Sequence, residues 1–99
     1  MQLYDIRMHT PVGDRYGQLR AKVQNGTIQG ELSLLGRKQP IHGAVREDGL
    51  WEFRGTLVTL LNIIHYCATG TVSENQLRLS LEGNGQTYAV TGTLREETK

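Results

Sequence analysis

The chain has 99 residues and a mass of 11.1 kDa, the size of one domain, and eleven Lys and Arg against ten Asp and Glu leave a net charge of +1. That balance, with no cluster of Lys or Arg, argues against binding nucleic acid through a basic face, and a lone cysteine, Cys67, excludes an internal disulfide framework. The longest largely apolar stretch, Leu57 to Ile64, is far short of the ~20 residues a membrane helix needs, and Asp5 and Arg7 interrupt any leader-like run at the start. The expectation is one soluble, cytoplasmic domain over residues 1–99, with no membrane partner.

Twelve glycines punctuate the chain, and the longest stretch free of them, Thr56 to Thr69, is rich in β-branched residues that favour strands. Elsewhere apolar residues alternate with polar ones, which predicts antiparallel β structure throughout. The first strand, over 2–10, would turn Tyr4, Ile6 and Met8 inward, and the link from Pro11 to Tyr16 is read as irregular. Asn25-Gly26, a strong two-residue hairpin signal, sets Val23 against Ile28, Ala21 against Gly30 and Leu19 against Leu32. A loop at Arg37-Lys38 would pair Leu34 with Ile41, Leu32 with Gly43 and Gly30 with Val45. The three-residue loop Glu47-Asp48-Gly49, with Gly49 left-handed, sets Val45 against Trp51 and Gly43 against Phe53.

The second half follows the same logic. A loop at Leu61-Asn62 would pair Thr59 with Ile64, Leu57 with Tyr66, Gly55 with Ala68 and Phe53 with Gly70. A loop at Glu74-Asn75 pairs Val72 with Leu77 and Gly70 with Leu79. Asn84-Gly85 pairs Leu81 with Tyr88 and Leu77 with Gly92. The expected strands are 2–10, 16–24, 27–36, 39–46, 50–60, 63–72, 76–83 and 86–95. A flat meander of eight strands would leave one face bare and two edges open, so strand eight is expected to close on strand one. The predicted fold is therefore all-β, an eight-stranded antiparallel up-and-down barrel of the lipocalin or streptavidin type; a two-sheet β-sandwich is the alternative. Gly17, Gly30, Gly43, Gly55, Gly70 and Gly92 share the inward parity, which strong strand coiling or cover by an aromatic neighbour would explain.

The run Thr10-Pro11-Val12-Gly13, then Gly17-Gln-Leu-Arg-Ala-Lys-Val and Gly26-Thr-Ile-Gln-Gly30-Glu-Leu, resembles a group of small bacterial lipocalin-like (calycin-like) β-barrel domains of unknown function. Gly70-Thr71-Val72 and Gly92-Thr93-Leu94 continue the pattern. Where such domains often carry a second proline-glycine turn, this chain has Leu60-Leu61-Asn62-Ile63. The resemblance implies the barrel and brings no binding residue with it.

Few residues are arranged for chemistry. His65 and Cys67 alternate on one strand, but their expected neighbours Val58 and Thr56 complete neither a metal site nor a nucleophile. His42, expected opposite Ser33 and Arg54 with Glu31 and Glu52 diagonal, makes an outer polar patch. Asp5, Arg7 and His9, with Asp14-Arg15 nearby, supply no carboxylate pair for acid–base work. Gly83-Asn84-Gly85 lacks the helix and the Lys of a phosphate loop. No catalytic group, metal or cofactor is predicted. The interior is the better site: Tyr4, Met8, Trp51, Phe53, Tyr66 and Tyr88 would line it, with Thr59 as a polar group, to hold a small apolar ligand. Val58, Leu60, Leu61 and Ile63 cluster at a hairpin tip, with Val58, Leu60 and Ile63 on the outer face, and are read as a homodimer contact. The sequence therefore points to a non-enzymatic barrel binding a small hydrophobic molecule or, from another class, an interaction or regulatory module with a filled core.

Overall fold

The computed structural model describes residues 1–97 apart from Leu35 and Leu60, and the described residues form strands and turns with no helix. The strands are β1 (Gln2–Thr10), β2 (Gly13–Gln24), β3 (Thr27–Leu34), β4 (Arg37–Val45), β5 (Trp51–Val58), β6 (Ile63–Ser73), β7 (Gln76–Gly83) and β8 (Gln86–Glu97). Each pairs antiparallel with the next, and β8 returns to β1 to close the barrel, which sets the sandwich alternative aside. Where the ends meet, Leu3 faces Glu96 but Tyr4 faces Leu94; one extra residue on β8 makes a bulge that helps the sheet curl shut.

Turn chemistry sets most of the registers. At Asn25-Gly26 and Asn84-Gly85 both central residues have positive φ (54° and 76°, 52° and 74°), the turn whose twist matches that of the flanking strands. Leu19 accordingly faces Leu32, and Leu81 faces Tyr88. Gly49 is left-handed at 85°, and Val45 faces Trp51. Val72 faces Leu77 across the Glu74-Asn75 turn.

Three expectations are corrected. The β3–β4 turn falls before Arg37, not at Arg37-Lys38, because Gly36 takes the positive φ of 77° that the reversal needs. Leu34 therefore faces Arg37, Gly30 faces Ile41 and Ile28 faces Gly43. The β5–β6 turn spans Thr59 to Asn62, closed by Thr59 N–H donating to the Asn62 carbonyl (2.8 Å). The Thr59 hydroxyl accepts the Asn62 N–H at 2.9 Å, so the turn is centred one residue earlier than a Leu61-Asn62 loop would place it. Leu57 then faces Ile64, Gly55 faces Tyr66, Phe53 faces Ala68 and Trp51 faces Gly70. Finally, Pro11 to Tyr16 is not irregular: Thr10 faces Gly13, and β2 begins there, opposite β1.

Both register changes are by an even number of residues, so the inward face is unaltered. Tyr4, Leu19, Ala21, Ile28, Leu32, Phe53, Leu77, Leu79 and Val90 are buried together in one core. Within it Tyr4 meets Trp51 edge-on (6.4 Å between ring centres, 90°), and Phe53 meets Tyr66 likewise (6.3 Å, 84°). A Cβ at Gly30 would overlap the Arg20 carbonyl oxygen, and at Gly43, Gly70 and Gly17 those of Glu52, Arg78 and Ser33. These glycines are where adjacent backbones bend into each other, which a small, tightly coiled barrel requires. Alanine in a strand is ordinarily more stable than glycine by about 0.5–1 kcal/mol. Here the sign reverses: Gly30→Ala and Gly43→Ala should each cost about 2–4 kcal/mol in urea denaturation, and a neutral or stabilising result would contradict the close approach.

Candidate functional site

The up-and-down topology puts the β1–β2, β3–β4, β5–β6 and β7–β8 turns at one end of the barrel. At that end a cup of about 1130 Å³ opens to solvent. Met8, Leu57, Ile64 and Tyr88 form its apolar wall and floor, while Pro11, Val12, Val58 and Leu61 bring the hairpin tips to its rim. Polar groups at the mouth come from Thr10, Arg15, Thr59, Arg37 and Gln86.

The cup exists because the inward column changes character toward this end. Along β1 the inward residues run Tyr4, Ile6, Met8 and then Thr10; along β2, leaving the core, they run Ala21, Leu19, Gly17 and then Arg15. β4 runs outward from Ile41 through Gln39 to Arg37, and β8 from Val90 through Tyr88 to Gln86. Bulky apolar groups thus fill the barrel up to about Met8 and Leu57, and polar side chains that prefer water take the last rung. The polar mouth groups are tied down locally. Thr10 Oγ1 donates to the Gly13 carbonyl, Tyr88 Oη donates to Gln86 Oε1, and Arg15 Nη1 donates to the Asp14 carbonyl at 3.2 Å.

The six aromatic and sulfur residues singled out in the sequence divide into two groups. Tyr4, Trp51, Phe53 and Tyr66 are packed in the core, while Met8 and Tyr88 reach the cup. Thr59 lies at the mouth of the cup, where its hydroxyl serves the β5–β6 turn. Of the hairpin cluster, Leu61 is 91% and Ile63 61% exposed, Val58 is half-buried opposite Ile63, and Leu60 lies outside the described residues. Sequence reasoning missed Arg15, Arg37, Val12, Leu57 and Ile64 as parts of one site. Arg15, a charged residue on inward parity, was a partial signal, whereas Arg37 reads as a loop residue until the β3–β4 register is known.

The other polar candidates sit on the outer surface. His9 Nδ1 lies 3.0 Å from Asp14 Oδ1, with Arg7 Nε 3.7 Å from the other carboxylate oxygen. His65 Nδ1 is 3.4 Å from Thr56 Oγ1, and half-buried Cys67 lies between Arg54 and Glu82 on the neighbouring strands. His42 faces Arg54 as expected but Gln29 in place of Ser33, a consequence of the corrected β3–β4 register. Among the described residues no three His, Cys, Asp or Glu side chains gather as a metal site would require.

Beneath the cup, one rung below Leu57 and Ile64, the Tyr66 hydroxyl lies where a Cβ of Gly55 would be. It is buried without a hydrogen-bond partner among the described residues, and burial pushes its pKa well above the usual phenol range.

No family model matches the chain, and no curated protein does. Among solved structures, the redesigned β-barrel mFAP1, bound to DFHBI, is 20% identical over 95% of this chain and 92% of its own, with a TM-score of 0.63. The apo structure of Caenorhabditis elegans lipid binding protein 8 is 9% identical over 82% of this chain and 72% of its own, with a TM-score of 0.54. At these identities the likeness is one of fold: the chain is a closed, eight-stranded calycin-like barrel.

Tyr66 gives a direct check on the packing under the cup. Tyr66→Phe removes an unsatisfied buried hydroxyl and should raise stability by about 1 kcal/mol in urea. The unfolded phenol ionises near pH 10 while the folded one stays neutral, so the folded protein loses stability as pH rises above about 10. That part of the alkaline loss should vanish in the variant, and a less stable Tyr66→Phe would show that the hydroxyl has a partner after all.

Proposed function

We propose that the barrel is a binding module, not an enzyme, and that it holds a small apolar molecule in the cup at its open end. The observation that carries this reading is the cup itself: about 1130 Å³, floored by Met8, Leu57, Ile64 and Tyr88 and continuous with the packed interior below. Concave, largely apolar sites with a few polar groups at the edge are where small molecules bind. Two neighbours in fold support it: mFAP1 was solved with DFHBI bound, and the other is named a lipid binding protein.

The neutral dye N-phenyl-1-naphthylamine, whose emission rises in apolar surroundings, tests the reading. About 0.4 kcal/mol per non-hydrogen atom implies a Kd on the order of 10 μM. Ile64→Trp, which fills the cup from its wall, should weaken binding at least about five-fold, since the lost space excludes the probe. Ile63→Asp, on the outside of the same hairpin, should leave it unchanged. A folded protein that gives no saturable signal would overturn the proposal.

A second reading rests on a separate observation. Leu61 and Ile63 expose large aliphatic side chains next to half-buried Val58 on one hairpin, and a two-fold symmetric contact would let that patch bury its own copy. Light scattering after size exclusion should then give twice 11.1 kDa for the parent and 11.1 kDa for Leu61→Asp with Ile63→Asp. A parent that elutes as a monomer at high concentration ends that reading.

A further inference from the structure

We infer that the cup takes an amphiphile carrying one anionic headgroup, a carboxylate or phosphate, bound tail-down with the head held at the mouth by Arg15 and Arg37. The inference rests on the ligand-binding reading above and adds the chemistry of the ligand and its orientation.

The arginines of this chain are sorted by parity. Arg7, Arg20, Arg54 and Arg78 occupy outward positions on their strands, Arg46 lies just past β4 and pairs with Glu52, and Arg95 reaches outward Asp5 at 3.5 Å. Arg15 and Arg37 do not follow them. Arg15 pairs with Met8 and Arg37 with Leu34, both buried inward residues, so these two guanidiniums stand on the inward columns of β2 and β4. Both line the cup.

Among the described residues nothing at the mouth neutralises them: no Asp or Glu lines the cup, and neither arginine is ion-paired. Asp14, the nearest acid in sequence, points outward to Arg7 and His9, and Arg15 touches only its backbone carbonyl. Two uncompensated guanidiniums beside a low-dielectric wall attract an anion, and the planar fork of each suits a carboxylate or phosphate.

The cations occupy the β2 and β4 side of the mouth, while Leu57, Val58, Leu61 and Ile64 occupy the β5–β6 side. A ligand satisfying both must be polar at one end and apolar for most of its length. The tail goes down because a charge on the floor would lie among Met8, Leu57 and Ile64, where desolvation is costly and no described cation would compensate it.

Isothermal titration with dodecanoate, dodecyl phosphate, 1-dodecanol and dodecyltrimethylammonium, each below its aggregation threshold, tests the inference. Two exposed guanidinium contacts should favour an anion over the alcohol by roughly five-fold, with the cation weakest. Arg15→Gln and Arg37→Gln should each reduce that preference by about two-fold, and the double variant should abolish it while 1-dodecanol and N-phenyl-1-naphthylamine bind as before. Raising salt to about 0.5 M should shrink the preference in the same way. Equal affinity for anions and alcohol, or a preference that survives the double variant, would overturn the headgroup assignment and leave the apolar cup standing. Failure of all four ligands and of the neutral dye would overturn both.

Discussion

Closure of β8 onto β1 is the constraint from which the rest of the structure follows. Once a meander closes, every second residue must point to a common axis, and the interior has to be filled by whatever those positions carry. Over most of the barrel they carry Leu, Ile, Tyr, Trp and Phe, and these side chains are buried together. At the end of the odd-numbered hairpins they carry Thr10, Arg15, Arg37 and Gln86, which do not pack, and the interior becomes a cup. Core and site are the same columns of residues read at different heights.

A barrel this small also has to bend its strands sharply, and the inward glycines show how. At Gly17, Gly30, Gly43 and Gly70 the neighbouring strand's carbonyl occupies the space that a Cβ would need. Gly55 is different: there the Tyr66 ring fills the gap, and the cost is a hydroxyl stranded without a partner among the described residues. Gly92 likewise meets Ile6 and Leu77 side chains. The glycines therefore serve curvature and packing in the filled part of the barrel, and the open volume at the mouth comes from elsewhere, from polar side chains that stay in water.

Parity was legible in the sequence because the alternation is strict and because misplacing a turn shifted the register in even steps. The Asn-Gly turns and Glu47-Asp48-Gly49 announced their registers through residues that accept positive φ. The β3–β4 turn was misplaced because Arg37-Lys38 looked like a polar loop, whereas the backbone reversal needed the glycine just before it. The β5–β6 turn was misread because the Thr59 hydroxyl accepts the Asn62 N–H beside the backbone bond that closes the turn, which no loop-length rule anticipates. Leu19, Ile41, Phe53, Leu79 and Val90 converge on the core regardless, while pairs such as His42 with Ser33 do not form. The cup was not legible, since it depends on which inward positions end up at the same height on different strands. That height is fixed by the registers and the shear of the closed sheet, not by any local pattern.

The exposed apolar side chains take on a different meaning once the cup is placed. Val12, 81% exposed, and Leu61, 91% exposed, sit on separate hairpins far apart in sequence, yet both edge the same opening. Ile63 and Tyr16, also exposed, lie on the outer face and do not. A self-association patch on the β5–β6 tip accounts for Leu61 and Ile63 but leaves Val12 without a role. A rim that extends the apolar wall beyond the mouth accounts for Val12 and Leu61 together, because a chain longer than the cup is deep would lie against them. The apolar rim and the guanidiniums of Arg15 and Arg37 would then meet the ligand where it leaves the barrel, and the packed core would set only how deep it goes.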